Sequence, residues 1–211
     1  KQGVDSVSPL DLEYALELGY RIKHLGIAKR EGDSLQLRVH PTLIPKTNAL
    51  AQVDGVLNAV MINASGVGEL LLVGPGAGSR PTASAVSADI VAISRAMASN
   101  GQPQINALGV PVENLADITI SNIADVSSAW YLRLEADDKP GVMASITQRL
   151  SDHGIGIESL IQKPKSAKLS RVPVIILTDE ASTQSVVEAV AAIEALATVE
   201  GSVTSLRVEN F

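Results

Sequence analysis

The residues best suited to chemistry lie in one short run, Gly74-Pro75-Gly76-Ala77-Gly78-Ser79-Arg80-Pro81. Glycines at alternate positions let a ligand approach the backbone closely, and a run that feeds a helix presents amino-end N–H groups to an anion. The spacing is Gly-x-Gly-x-Gly. Ser79 stands where a dinucleotide fingerprint needs its last glycine, and no acidic residue follows about 20 positions on to hold a ribose. Spacing alone therefore favours a tight strand-to-helix turn ahead of Pro81 over a ligand cradle.

Other candidates are weaker. His24, His40 and His153 are scattered without metal-ligand spacing and read as surface or capping residues, so no metal site is expected. Ser84 has neither a glycine elbow nor a base near it in sequence, which leaves nucleophilic catalysis without support. Asp11, Glu13, Glu17 and Lys23 read as a solvated helix face rather than as an acid–base pair.

The elements that must position these residues follow from periodicity and breakers. Ser8-Pro9-Leu10-Asp11 is a helix start, with a serine cap, proline where its missing N–H costs nothing, and an acid in the first turn. The helix is expected to reach about residue 18, where Gly19 stops it. Strands over 20–29 and 35–39 are expected to form a hairpin around Glu31-Gly32-Asp33, and Pro41 and Pro45 forbid helix beyond it. Strand-like runs at 55–62 and 69–73 lead through the glycine loop to a helix over 82–98. Residues 101–129 lack sustained periodicity and read as a linker or surface arm. From Trp130 the order is strand 130–136, helix 142–153, strand 156–162, strand 173–178, helix 183–197 and strand 203–208. That is the β-α-β-β-α-β order of ferredoxin-like folds, whose open face and edges are often hidden by dimerisation. The fold class is thus α/β (α+β): a mostly antiparallel sheet with helices, then a ferredoxin-like domain.

Composition narrows the function classes. An apolar share of 45% in 211 residues is enough for real cores, and a charged share of 19% argues against disorder. The net charge of -6 carries no basic stripe, and one Trp, three Tyr and one Phe offer few rings for base stacking, so nucleic acid is not an expected partner. No apolar run approaches the roughly 20 residues that span a bilayer, so no membrane role is expected. The absence of cysteine excludes disulfides and thiolate chemistry and fits a cytoplasmic location. The chain opens on Lys1 rather than Met, as though cut from something longer.

Several motifs together carry a family resemblance. Asp11-Leu12-Glu13-Tyr14-Ala15, Leu18-Gly19-Tyr20-Arg21-Ile22-Lys23 and Leu37-Arg38-Val39-His40-Pro41-Thr42-Leu43-Ile44-Pro45 resemble the homoserine dehydrogenase family. So do Gly55-Val56-Leu57-Asn58-Ala59-Val60 and the glycine loop continuing through Pro81-Thr82-Ala83-Ser84-Ala85-Val86. The stretch from Trp130 to Phe211 resembles the amino-acid-sensing ACT domain that many bacterial members append. The resemblance implies residues 1–100 as the end of a catalytic and dimerisation domain, 101–129 as linker, and 130–211 as ACT domain. It also implies a carboxyl-terminal half, expected to be inactive alone, of an enzyme that interconverts L-homoserine and L-aspartate 4-semialdehyde with NADP or NAD.

On that resemblance Gly78 approaches the nicotinamide cofactor and Gly76 helps shape the same wall, while the cofactor's main site and the catalytic residues lie outside this chain. The effector expected at the ACT domain is L-threonine, contacted by Asp138, Gly141, Val142, Ile157 and Gln162. Gly156 stands where related domains often carry serine, which removes a hydroxyl contact there. The assembly implied is a homo-oligomer, a dimer or a dimer of dimers. A competing expectation is a non-catalytic module that dimerises and senses an amino acid.

Overall fold

The structure is a computed structural model that describes residues 3–99, 109–162 and 171–211. Its first helix, α1 (Pro9–Glu17), starts at a complete capping box: the Ser8 hydroxyl accepts from the Asp11 N–H, and the Asp11 carboxylate accepts from the Ser8 N–H. Gly19, at φ 88°, turns the chain into β1 (Tyr20–Glu31), which pairs along its length with β2 (Ser34–Pro45).

Strand β2 extends past the expected end at residue 39, through both prolines. The reason lies in the ladder's alternation. The Lys46 N–H donates to Gly19 O, so hydrogen-bonded pairs fall at every second position from there, and Pro41 and Pro45 occupy the other positions, with their nitrogens facing away from β1. On that far side β2 meets its next partner only at Thr42 and Leu43, so Pro41 costs no ladder bond.

The chain continues as β3 (Leu57–Ala64), β4 (Gly68–Pro75) and α2 (Ser79–Ala98), then β5 (Thr119–Ile120) and β6 (Ser127–Asp137). After these come α3 (Val142–Asp152), β7 (Ile157–Gln162), β8 (Arg171–Thr178), β9 (Ala181–Ser182), α4 (Thr183–Glu194) and β10 (Val199–Val208). Packing divides them into two units. One unites Lys1–Ala51 with Thr119–Phe211, and the other is Gln52–Ile118, which contains the β3–β4 hairpin and α2. This division differs from limits at 100 and 130, because the first hairpin shares a sheet with the last strands.

In the larger unit the order β10-β6-β8-β7 is the ferredoxin-like sheet, with antiparallel neighbours throughout. The β1–β2 hairpin joins its edge: Thr42 and Leu43 pair in parallel with Arg207 and Val208 of β10. One edge that would invite another chain is thus covered by this chain itself. Strand β10 begins earlier than periodicity indicates, because an irregularity between Glu200 and Thr204 breaks the period of two.

Alternation along β6 sends neighbouring residues to opposite faces. Trp130, Leu132, Leu134 and Ala136 pack with Val142, Ile146 and Leu150 of α3 and Val186, Ala189 and Ile193 of α4. Tyr131 turns the other way, to Ile175, Leu177, Leu206 and Leu43, where Tyr14 and Ala15 of α1 cover it. The second face is therefore not left open. Removing one such side chain, for example by Ile146→Ala, costs roughly 2 to 5 kcal/mol.

Part of the expected linker is built into this unit. Thr119 and Ile120 pair with Ser34 and Leu35 of β2, and both the N–H and the hydroxyl of Thr183 donate to Val126 O. A strand of two residues leaves no periodicity to read. Residues 101–108 of that segment lie outside the described residues.

Candidate functional site

The turn after β6 brings a carboxylate and an amide together. Gly141 caps α3 in the left-handed region, φ 88° and ψ −16°, and among the described residues no side chain caps that helix end. The first N–H groups of α3 carry the positive end of the helix dipole. Beside it, Gln162 at the end of β7 donates from Nε2 to Asp138 Oδ1 at 3.3 Å, and both residues are exposed. Asp138, Gly141 and Gln162 therefore form one surface cluster.

The remaining two expected contacts turn inward. Val142 is buried in the helix-side core, so only its backbone faces the turn, where its N–H already donates to Lys139 O at 3.3 Å. Ile157 is half-buried and packs against the same core. Next to the cluster, Lys139 and then Arg171 hold the Asp137 carboxyl below the usual carboxylate range, at 2.8 and 3.0 Å. At Gly156 a Cβ would lie 2.1 Å from Asp179 Oδ2, so a serine there would require that carboxylate to swing aside.

The glycine loop belongs to the smaller unit, and its glycines have different reasons to be glycine. The Gly76 N–H donates to Val56 O at 3.4 Å, and a Cβ on Gly76 would stand 1.6 Å from Asn58 Nδ2. Gly78 caps α2 at φ 118°, ψ 156°, a conformation that L side chains rarely adopt. Among the described residues a Cβ there would meet only Pro81, at 3.5 Å, so none of the others crowds the Gly78 backbone.

Two of the minor candidates need correction. Asp11 is fully buried, not on a solvated face: it accepts from Arg133 Nε at 2.6 Å and from the Tyr131 hydroxyl at 2.9 Å while serving the capping box. His40 is buried too, with its Nδ1 2.9 Å from the Thr42 hydroxyl; burial pushes its pKa down to about 4. His153 Nδ1 lies 2.9 Å from Arg149 O, closing the end of α3. Among the described residues no group of three or more His, Cys, Asp or Glu side chains could hold a metal ion. No helix among them is long and apolar enough to cross a membrane.

Comparison with known proteins decides the lineage. A family model described as homoserine dehydrogenase matches residues 1–91, and one described as ACT domain matches 130–195. The homoserine dehydrogenase of Pseudomonas aeruginosa is 45% identical over 99% of this chain and 48% of its own length. That of Neisseria gonorrhoeae is 42% identical with the same coverage. The crystal structure of a homoserine dehydrogenase from Thiobacillus denitrificans superposes with a TM-score of 0.87 at 43% identity, over 99% of this chain and 47% of that one.

The chain belongs to the homoserine dehydrogenase family. It spans about half the length of the curated relatives it matches. The ACT match, 130–195, falls on β6 through α4, the elements that carry the Asp138–Gln162 cluster. The family match over 1–91 takes in α1, the β1–β2 hairpin and the glycine loop. The sequence singles out the turn through the resemblance and the glycine loop through its spacing. It misses the buried polar residues Asp11, Arg38, His40 and Arg207, because burial of a charge depends on partners that are distant in sequence.

Proposed function

We propose that this chain is the carboxyl-terminal part of a homoserine dehydrogenase, an oxidoreductase that interconverts L-homoserine and L-aspartate 4-semialdehyde with NADP or NAD. It would serve threonine, methionine and isoleucine biosynthesis as a cytoplasmic homo-oligomer, with L-threonine as feedback effector of the ACT domain. The nicotinamide supplies the hydride acceptor or donor when bound. The residues of this chain that fit it are Gly78, whose backbone carries no Cβ and has, among the described residues, only Pro81 within 4 Å of where one would stand, and Gly76 beside it.

The effector reading rests on one observation, the meeting of Asp138 and Gln162 at 3.3 Å beside the uncapped end of α3. An α-amino acid is a zwitterion: its carboxylate suits the α3 N–H groups and its ammonium suits Asp138. Gln162 offers both a donor and an acceptor, so it can read a side-chain hydroxyl that an aliphatic amino acid lacks. Calorimetric titration of the chain with L-threonine and L-valine tests this. Threonine should bind at least tenfold more tightly than valine, and Asp138→Ala and Gln162→Ala should each weaken threonine at least tenfold. Equal affinity for the two amino acids, or undiminished binding by both variants, would remove the effector role from this cluster.

A further inference from the structure

A second polar cluster lies at the junction of β2 and β10, on the helix-side face of the sheet. Register places Thr42 of β2 beside Arg207 of β10, and Arg207 beside Trp130 of β6. Arg38 and His40 share the face of Thr42, because strand residues two and four apart do so. Arg38, His40, Trp130 and Arg207 are only 4 to 5% exposed. Burying two guanidinium groups is costly unless each finds compensating charge and hydrogen bonds.

The compensation present is incomplete. Arg38 pairs with Glu209. Arg207 donates to the hydroxyls of Ser128 at 2.8 Å and Thr183 at 2.6 Å and lies 4.3 Å over the Trp130 ring, with no carboxylate within ion-pair distance among the described residues. Burial pushes its pKa down to about 10, with Arg38 adding to the effect. His40 adds no positive charge at neutral pH, since burial first and then Arg207 and Arg38 disfavour its protonation. Arg207 thus lacks the ion pair that Arg38 has. Three buried nitrogens, Arg38 Nε, His40 Nε2 and Trp130 Nε1, have no hydrogen-bond partner among the described residues.

All four of these residues line a cavity of about 530 Å³, within the size range of small-molecule sites. Its opposite wall is α4, which contributes Val186, Val187, Val190 and Ala191, with Glu194 at the helix end accepting from the Val203 N–H. We propose that this cavity is a binding site for a small branched aliphatic monocarboxylate, its carboxylate taken by the Arg207 and Arg38 guanidinium groups and its alkyl body by the α4 valines. A carboxylate would supply the missing negative charge as charge-assisted hydrogen bonds, and the valines would exclude a ligand that is polar throughout. The site shares no residue with the Asp138–Gln162 cluster and does not depend on that reading.

Trp130 is the only tryptophan in the sequence, so its emission reports on this cavity alone. The chain is titrated with isovalerate, with its uncharged isostere isovaleramide, and with inorganic phosphate, while Trp130 fluorescence is followed. Isovalerate should give a saturable change that the amide and phosphate match only at concentrations at least tenfold higher. Arg207→Met should abolish the change. Val190→Phe, which fills the cavity from a half-buried position without touching the charges, should abolish it as well in a variant whose circular dichroism is unaltered. Absence of a saturable isovalerate response overturns the proposal, as does an equal response to the amide or to phosphate, or an undiminished response in folded Val190→Phe.

Discussion

Asp11 carries two loads at once. Its carboxylate closes the capping box of α1, and it is the counter-ion of Arg133, which reaches it from β6 with Nε at 2.6 Å. Burial alone would raise its pKa; hydrogen bonds from Arg133, from the Ser8 N–H and hydroxyl, and from Tyr131 outweigh that and hold it below the usual carboxylate value. A carboxyl group whose pKa is lower in the folded chain contributes stability above its unfolded pKa, near 3.9, and that contribution is lost as pH falls through the folded value. Asp11→Ala removes the cap and leaves Arg133 without its partner, so it should cost about 3 kcal/mol at pH 7. Urea denaturation of both proteins measures this, and the gap should narrow as the parent is taken to pH 3. A loss under about 1 kcal/mol at pH 7 would show that Thr204 and solvent suffice for Arg133. The sequence marks Asp11 as the acid of the first turn but does not set its burial apart from that of Glu13 and Glu17 on the same short helix. Only the arrival of Tyr131 and Arg133, distant in the chain, makes one of them a buried anion.

Strands and turns were more legible than the buried charges, and the glycine loop shows where legibility ends. The alternation of glycines marks a strand-to-helix turn between β4 and α2, which local breakers alone can specify. Which glycine is required for which reason is not local. Gly76 is constrained by Asn58 on the neighbouring strand β3, whereas Gly78 is constrained by its own φ of 118°. The two should therefore respond differently to one added methyl group. Gly76→Ala should lower stability by roughly 1 to 3 kcal/mol, as overpacking does, and Asn58→Ala in the same chain should recover most of the loss. Gly78→Ala should cost a similar roughly 1 to 3 kcal/mol through backbone strain, and Asn58→Ala should give nothing back. Thermal unfolding of the five proteins decides it. Equal rescue of both glycine variants would mean that Asn58 acts on the whole loop rather than on Gly76.

At the scale of the whole molecule the larger unit is assembled from two stretches separated by the smaller unit. The ferredoxin-like order was readable because each of its helices and main strands is long enough to show its period. The attachment of the first hairpin was not, because it rests on two residue pairs, Thr42 with Arg207 and Leu43 with Val208, and periodicity never says which edges meet. That attachment has an energetic consequence. Tyr131, Ile175, Leu177 and Leu206 are buried under α1 and Leu43, not under α3 and α4, so the ferredoxin-like portion does not cover its own second face. Freed from residues 1–51, it would expose those side chains together with the unpaired edge of β10, the combination that favours self-association. A protein of residues 119–211 should therefore be less stable than the same residues in the full chain by more than about 3 kcal/mol, given about 1.5 to 3 kcal/mol for each large side chain uncovered. It should also bind a hydrophobic dye and run in light scattering as dimers or larger species, increasingly so with concentration. If it instead stays monomeric, binds no dye and melts at the temperature of the full chain, then α1 and the first hairpin lie against a sheet that does not need them.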